Sequence, residues 1–81
     1  MKRKKQRRDT ILLQKIALRV KELREQHGHT QEQLQSATEL NIPNLETGAN
    51  FPNLTSIAII CKFYQISLDE FFAPMNYPEK E

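Results

Sequence analysis

His27, His29 and Cys61 are the only imidazole and thiol side chains in this 81-residue sequence. A zinc site needs four nitrogen, sulfur or oxygen ligands at short, recurring spacings. Here two histidines flank a single glycine, and the one cysteine lies more than thirty residues further on. That pattern fits no metal site, and the histidines read as helix-terminating and turn residues. No glycine-rich phosphate loop, nucleophile elbow or paired-carboxylate setting is present either. The sequence therefore implies no enzyme, cofactor, metal or small-molecule substrate. A lone cysteine in an apolar stretch also cannot form an internal disulfide, and Cys61 reads as a small buried hydrophobe of a cytoplasmic protein.

Charge is the second source of chemistry, and it is unevenly distributed. Residues 2 to 24 carry a net +8, residues 25 to 61 a net −4 with no lysine or arginine, and the remainder −2, for an overall +2. Six of the bases fall in the opening run, Lys2, Arg3, Lys4, Lys5, Arg7 and Arg8. With nothing apolar to bury, residues 1–9 read as a basic arm that a polyanion would meet first. The run followed by Ile11-Leu12-Leu13 superficially looks like a secretory signal, but Gln14, Lys15 and Arg19 interrupt the apolar stretch. Neither export nor membrane spanning is expected.

The elements that must position any site are helical. Eighty-one residues give one domain with a small core, and two glycines and no tryptophan argue against a turn-rich β fold. Asp9 or Thr10 can cap a first helix with Leu12, Ile16, Val20 and Leu23 inward and Lys15, Arg19, Lys21, Glu22, Arg24 and Glu25 on a solvated face, ending near His27 and Gly28. Thr30 and Gln33 form a capping box for a short second helix with Leu34 and Ala37 inward. A third, with Ile42 and Leu45 inward, ends before Gly48. Asn53 caps a fourth through Leu54, Ile57, Ile60, Cys61 and Tyr64, and Ser67 with Glu70 boxes a fifth through Leu68, Phe71 and Phe72. The expected organisation is an arm over residues 1–9, a helical domain over 10–73 and a loose tail over 74–81.

The stretch Val20-Lys21-Glu22-Leu23-Arg24-Glu25-Gln26-His27-Gly28-His29-Thr30-Gln31-Glu32-Gln33-Leu34 resembles the first two helices of the Cro and phage-repressor type (Xre-like) helix-turn-helix family, usually worded "I-R-E-L-R-E-E-K-G-L-T-Q-E-E-L". Leu45-Glu46-Thr47-Gly48 is similar to its "I-E-x-G", Phe51-Pro52-Asn53-Leu54 to its "N-P-S-L", and Ile66-Ser67-Leu68-Asp69-Glu70-Phe71-Phe72 to its "V-S-L-D-E-L-F". Four pieces in order, across roughly residues 12 to 72, imply an all-α, five-helix, lambda-repressor-like helix-turn-helix DNA-binding domain.

Two departures bear on the recognition segment. The family's commonest form has about three more residues between the threonine opening helix two and the glutamate closing helix three, about 4.5 Å of helical rise, so this chain resembles a compact variant. Pro43 is the second. If helix three starts at Thr38, proline sits in its interior at a cost of roughly 3 kcal/mol; if Asn41 is the cap, it falls in the tolerated first turn. Either way the recognition helix is expected to be short or kinked.

By the resemblance, Gln31 contacts phosphate, while Glu39, Asn41 and Asn44 face the bases; Asn50, just beyond, is a further DNA-binding candidate. Asn and Gln can bond adenine edges, and Glu can accept from cytosine. The implied partner is double-stranded DNA, bound at a palindrome by a homodimer of a transcriptional regulator. Glu32, Glu39 and Glu46 repel phosphates, so the arm of residues 2 to 8 would have to compensate. The alternative is a protein-interaction module that keeps the fold without reading DNA; its polar residues are then ordinary solvated side chains and its arm a solubilising tail.

Overall fold

A computed structural model describes residues 9–78 of the chain; the basic arm's residues 1 to 8 and the last three residues lie outside the described region. Five α-helices follow one another, α1 (Thr10–Gln26), α2 (Gln31–Thr38), α3 (Ile42–Thr47), α4 (Leu54–Tyr64) and α5 (Leu68–Phe72), and a 3-10 turn over Ala73–Met75 comes last. No strand occurs among the described residues.

Each start has a local cause. Asp9 accepts the Leu12 N–H at 3.0 Å and starts α1. Thr30 with Gln33 and Ser67 with Glu70 form reciprocal capping boxes at α2 and α5, and Asn53 accepts the Ser56 N–H at 2.8 Å to start α4. A cap of this kind stabilises its helix by about 1 kcal/mol. Helix α3 begins at Asn41, which accepts the Asn44 N–H at 3.1 Å, so Pro43 is the second helical residue, where no intrahelical N–H is needed. Thr38 is no cap. It is the last residue of α2, buried, with its hydroxyl donating to the Leu34 carbonyl at 2.8 Å.

The core gathers Ile16, Val20 and Leu23 of α1, Leu34 of α2, Ile42 of α3, Ile57, Ile60, Cys61 and Tyr64 of α4, and Phe71 of α5. Helix α1 packs on α3, α2 on α3 and α4, and α4 on α5, with the 3-10 turn returning to α1. Three expected core positions differ. Leu54 and Leu68 are exposed because each is the first residue of its helix, projecting beyond the body that begins at Ile57 and Phe71. Ala37 is exposed too, since Leu34 and Thr38 take the inward side of α2. Leu13 and Ala17 are buried beside Gly48, whose left-handed φ of 73° ends α3.

The face of α1 expected to be solvated is partly internal. Arg19 is buried: its guanidinium donates to the Phe71 carbonyl and, at 3.0 Å, to the Glu70 carbonyl, closing the C-terminal end of α5. From the segment expected to be a loose tail, Met75 packs against the core and the Tyr77 hydroxyl donates to Asp9 at 2.6 Å, where α1 begins.

Candidate nucleic-acid interface

Helices α2 and α3 are joined by three residues, Glu39, Leu40 and Asn41. The turn is tight because Glu39 takes a left-handed conformation (φ 62°) and donates its N–H to the Gln35 carbonyl at 2.7 Å, while Asn41 starts the next helix at once. Leu34 and Ile42, both fully buried, fix the pair to the core from below. The outer side is left to polar groups.

On that side Glu39, Asn41 and Asn44 are all exposed. Glu39 and Asn41 line one open depression of about 590 Å³ with Gln35, Ser36, Leu40 and Pro43. Asn44 lies one helical turn beyond Asn41. Its N–H is taken by Asn41 and its carbonyl by the Thr47 hydroxyl at 2.9 Å, so its bonds run through the backbone and the side chain points to solvent. The Asn41 side-chain oxygen is committed to the cap, which leaves its amide N–H groups as its outward donors. Asn50 is exposed in the segment after α3. Lys2, Arg3, Lys4, Lys5, Arg7 and Arg8 lie outside the described residues.

Gln31 has a different immediate partner. Its side-chain N–H donates to Glu46 at 2.8 Å, and the same carboxylate receives two bonds from the Arg24 guanidinium, at 2.7 and 3.0 Å. Arg24 also donates to the His29 carbonyl at 2.9 Å. The Arg24 and Glu46 side chains are 11% and 4% exposed, and Glu46 holds the guanidinium above its ordinary range. Thus Arg24 belongs to no solvated face, and Glu46 is an internal, compensated charge rather than one that would repel phosphate. Glu32 and Glu39 remain exposed and carry the acidity of this surface.

Gln35 and Ser36 were not singled out by sequence reasoning. The signal available for Gln35 was its place four residues after Gln31, on the same side of a helix. On the opposite flank His27 stacks on Tyr64 with ring centroids 4.1 Å apart, and His29 shares a 3.0 Å hydrogen bond with the Tyr64 hydroxyl. Burial pushes the Tyr64 hydroxyl and the Cys61 thiol above their ordinary pKa values. Among the described residues no three His, Cys, Asp or Glu side chains are grouped to hold a metal, and no helix is long and apolar enough to cross a membrane. Comparison with known proteins adds no relative: no family model matches the chain, and neither does any curated protein or solved structure.

Proposed function

We propose that this chain binds double-stranded DNA as a sequence-specific transcriptional regulator, with α2 and α3 forming a compact helix-turn-helix. One observation carries the reading: two short helices joined by a three-residue turn, anchored by the buried Leu34 and Ile42, with Asn41 exposed at the cap of the second helix and Asn44 exposed on it. Side-chain amides at the start of such a helix can bond adenine edges in the major groove. The pairing of Glu46 with Arg24 supports it further, because one of the acidic groups in the segment carries no outward charge.

The electrostatic attraction falls to the basic arm, since residues 25 to 61 contain no lysine or arginine. Selection of bound duplexes from a random pool, followed by competition between the selected duplex and a scrambled one at fixed salt, tests the proposal. A regulator enriches one sequence and prefers it in competition.

The second reading is a protein-interaction module. It is favoured by Gln31, whose amide is bonded to Glu46, and by the uncompensated Glu32 and Glu39 on the outer surface. Absence of any preference between the two duplexes selects this reading.

A further inference from the structure

Glu39 and Asn41, at the two ends of the α2 to α3 turn, have opposite hydrogen-bonding characters. Asn41 caps α3, and its side-chain oxygen accepts the Asn44 N–H at 3.1 Å. That bond turns the oxygen toward the helix backbone and leaves the amide N–H groups as the outward part of the side chain. Glu39 is exposed, and as a carboxylate it only accepts. Both line the same open depression of about 590 Å³. Leu40 and Pro43 beside them offer no side-chain hydrogen bond, and Gln35 and Ser36 on the α2 side each both donate and accept, so they impose no polarity of their own. The fixed pattern of the depression is one donor group next to one acceptor group.

An asparagine reads adenine by placing its oxygen on N6–H and its N–H on N7 together. The capped Asn41 has no outward oxygen to offer N6, whereas Asn44, whose own bonds run through its backbone, has both halves of its amide available. The order of groups on the base-pair edges then decides what Asn41 and Glu39 fit. Across the major groove a G·C pair presents two adjacent acceptors, guanine N7 and O6, and then the cytosine N4–H donor with a C–H beyond it. An A·T pair presents its one donor, the adenine N6–H, between two acceptors, N7 and the thymine O4. A carboxylate over adenine N6 is repelled from both sides. Over cytosine N4 it has an acceptor on one side only, and that acceptor is met by the Asn41 N–H groups.

We propose that Asn41 and Glu39 together read one G·C pair, with Asn41 donating to the guanine O6 and N7 edge and Glu39 accepting from cytosine N4–H. This assignment rests on the DNA-binding reading and excludes adenine as the base met by Asn41.

Competition binding at fixed salt tests it, using the duplex selected by the full chain and a set in which each of its base pairs is replaced in turn. Wild type is expected to lose about tenfold or more when one particular G·C pair becomes A·T, the order of one good base contact. Two variants are expected to erase that preference at the same position and to spare the others. Asn41→Asp keeps the helix cap, because aspartate caps as well as asparagine, but replaces the outward donors with an acceptor. Glu39→Gln keeps the size of the side chain and adds a donor, which makes adenine acceptable there. The quantity read is the ratio of affinities for the G·C and A·T duplexes, in which a general change in repulsion from phosphate cancels, and thermal melts verify that both variants stay folded. A site where Asn41→Asp instead abolishes a preference for A·T overturns the assignment. So does a selected site with no G·C pair that responds to both variants, including the case where each variant weakens every duplex equally. If wild type selects no sequence at all, the DNA-binding reading itself falls, and the base assignment with it.

Discussion

Arg24 and Glu46 are bound to each other through one edge of the guanidinium, Nε and Nη2, at 2.7 and 3.0 Å, tying the last turn of α1 to α3 with Gln31 as a third member. The pair is 22 residues apart in sequence and almost removed from solvent. Removing one member strands the other charge. Arg24→Ala is expected to destabilise the domain by about 3–5 kcal/mol, a large share of what a chain this size has. Arg24→Lys should recover only part of it, because a single ammonium cannot make the paired bonds. Urea melts of the two variants against wild type give the measurement; equal midpoints for wild type and Arg24→Ala would refute it.

Acid should loosen the start of α1. The Asp9 carboxylate is held below its ordinary range, first by the Tyr77 hydroxyl and then by the Leu12 N–H. A lowered folded-state pKa means a stabilisation present above the unfolded value, about 4, and lost as pH falls through the folded one. The Tyr77 hydroxyl is raised by the same bond, so its share is complete below the unfolded tyrosine value, about 10, and disappears as pH rises through the folded one. Asp9→Asn and Tyr77→Phe should each flatten the acid limb of the stability profile. Carbon-detected titration of Asp9 should show a lowered pKa in wild type and a recovery in Tyr77→Phe.

Glu39 and Gln65 end α2 and α4 in left-handed conformations, φ 62° and 59°, that cost an ordinary side chain roughly 1 kcal/mol and glycine almost nothing. Glu39→Gly and Gln65→Gly are each expected to leave stability unchanged or raise it by up to about 1 kcal/mol. Thermal melts decide this. A marked loss in either would mean that the side chain makes a contact outweighing the backbone strain.

On the proposed DNA-binding reading, Asn44→Ala should lower discrimination between selected and scrambled duplexes by about 1–3 kcal/mol while leaving nonspecific binding intact. Stability should barely move, since the side chain is exposed. Asn41→Ala is a less direct probe because it also removes the α3 cap, at about 1 kcal/mol. Deleting residues 2 to 8 should weaken binding to every duplex and flatten its salt dependence by about one unit of slope per lost phosphate contact.

Local chemistry was legible and long-range chemistry was not. Asp9, Thr30, Asn53 and Ser67 could be read as caps because the donor each satisfies is only three residues away. Pro43 confined α3 to a late start because proline conflicts with its own preceding turn. The run Ile11-Leu12-Leu13, by contrast, offers three adjacent registers for the buried stripe. Leu13 takes the buried place, near Gly48 at the end of α3. Arg19, Arg24 and Gln31 looked like surface residues because periodicity ranks side chains by hydrophobicity. Their partners, the α5 carbonyls and the Glu46 carboxylate, are supplied by distant segments that no local pattern announces. For the candidate interface, sequence placed Glu39, Asn41 and Asn44 on one exposed surface, but it could not see that Glu46 is withdrawn from it.

Arg19 has a consequence for the order in which the chain can become stable. Its guanidinium lies within the wall of the domain and is satisfied by carbonyls 51 and 52 residues downstream. During ribosomal synthesis α1 is exposed first, yet one of its buried donors has no acceptor until Phe71 has been added. A nascent chain stopped before α5 would keep that cation in water, beside Glu22 of its own helix. The seal between the first helix and the fifth is therefore expected to close only after Phe71 has been made, while α1 can already rest on α3.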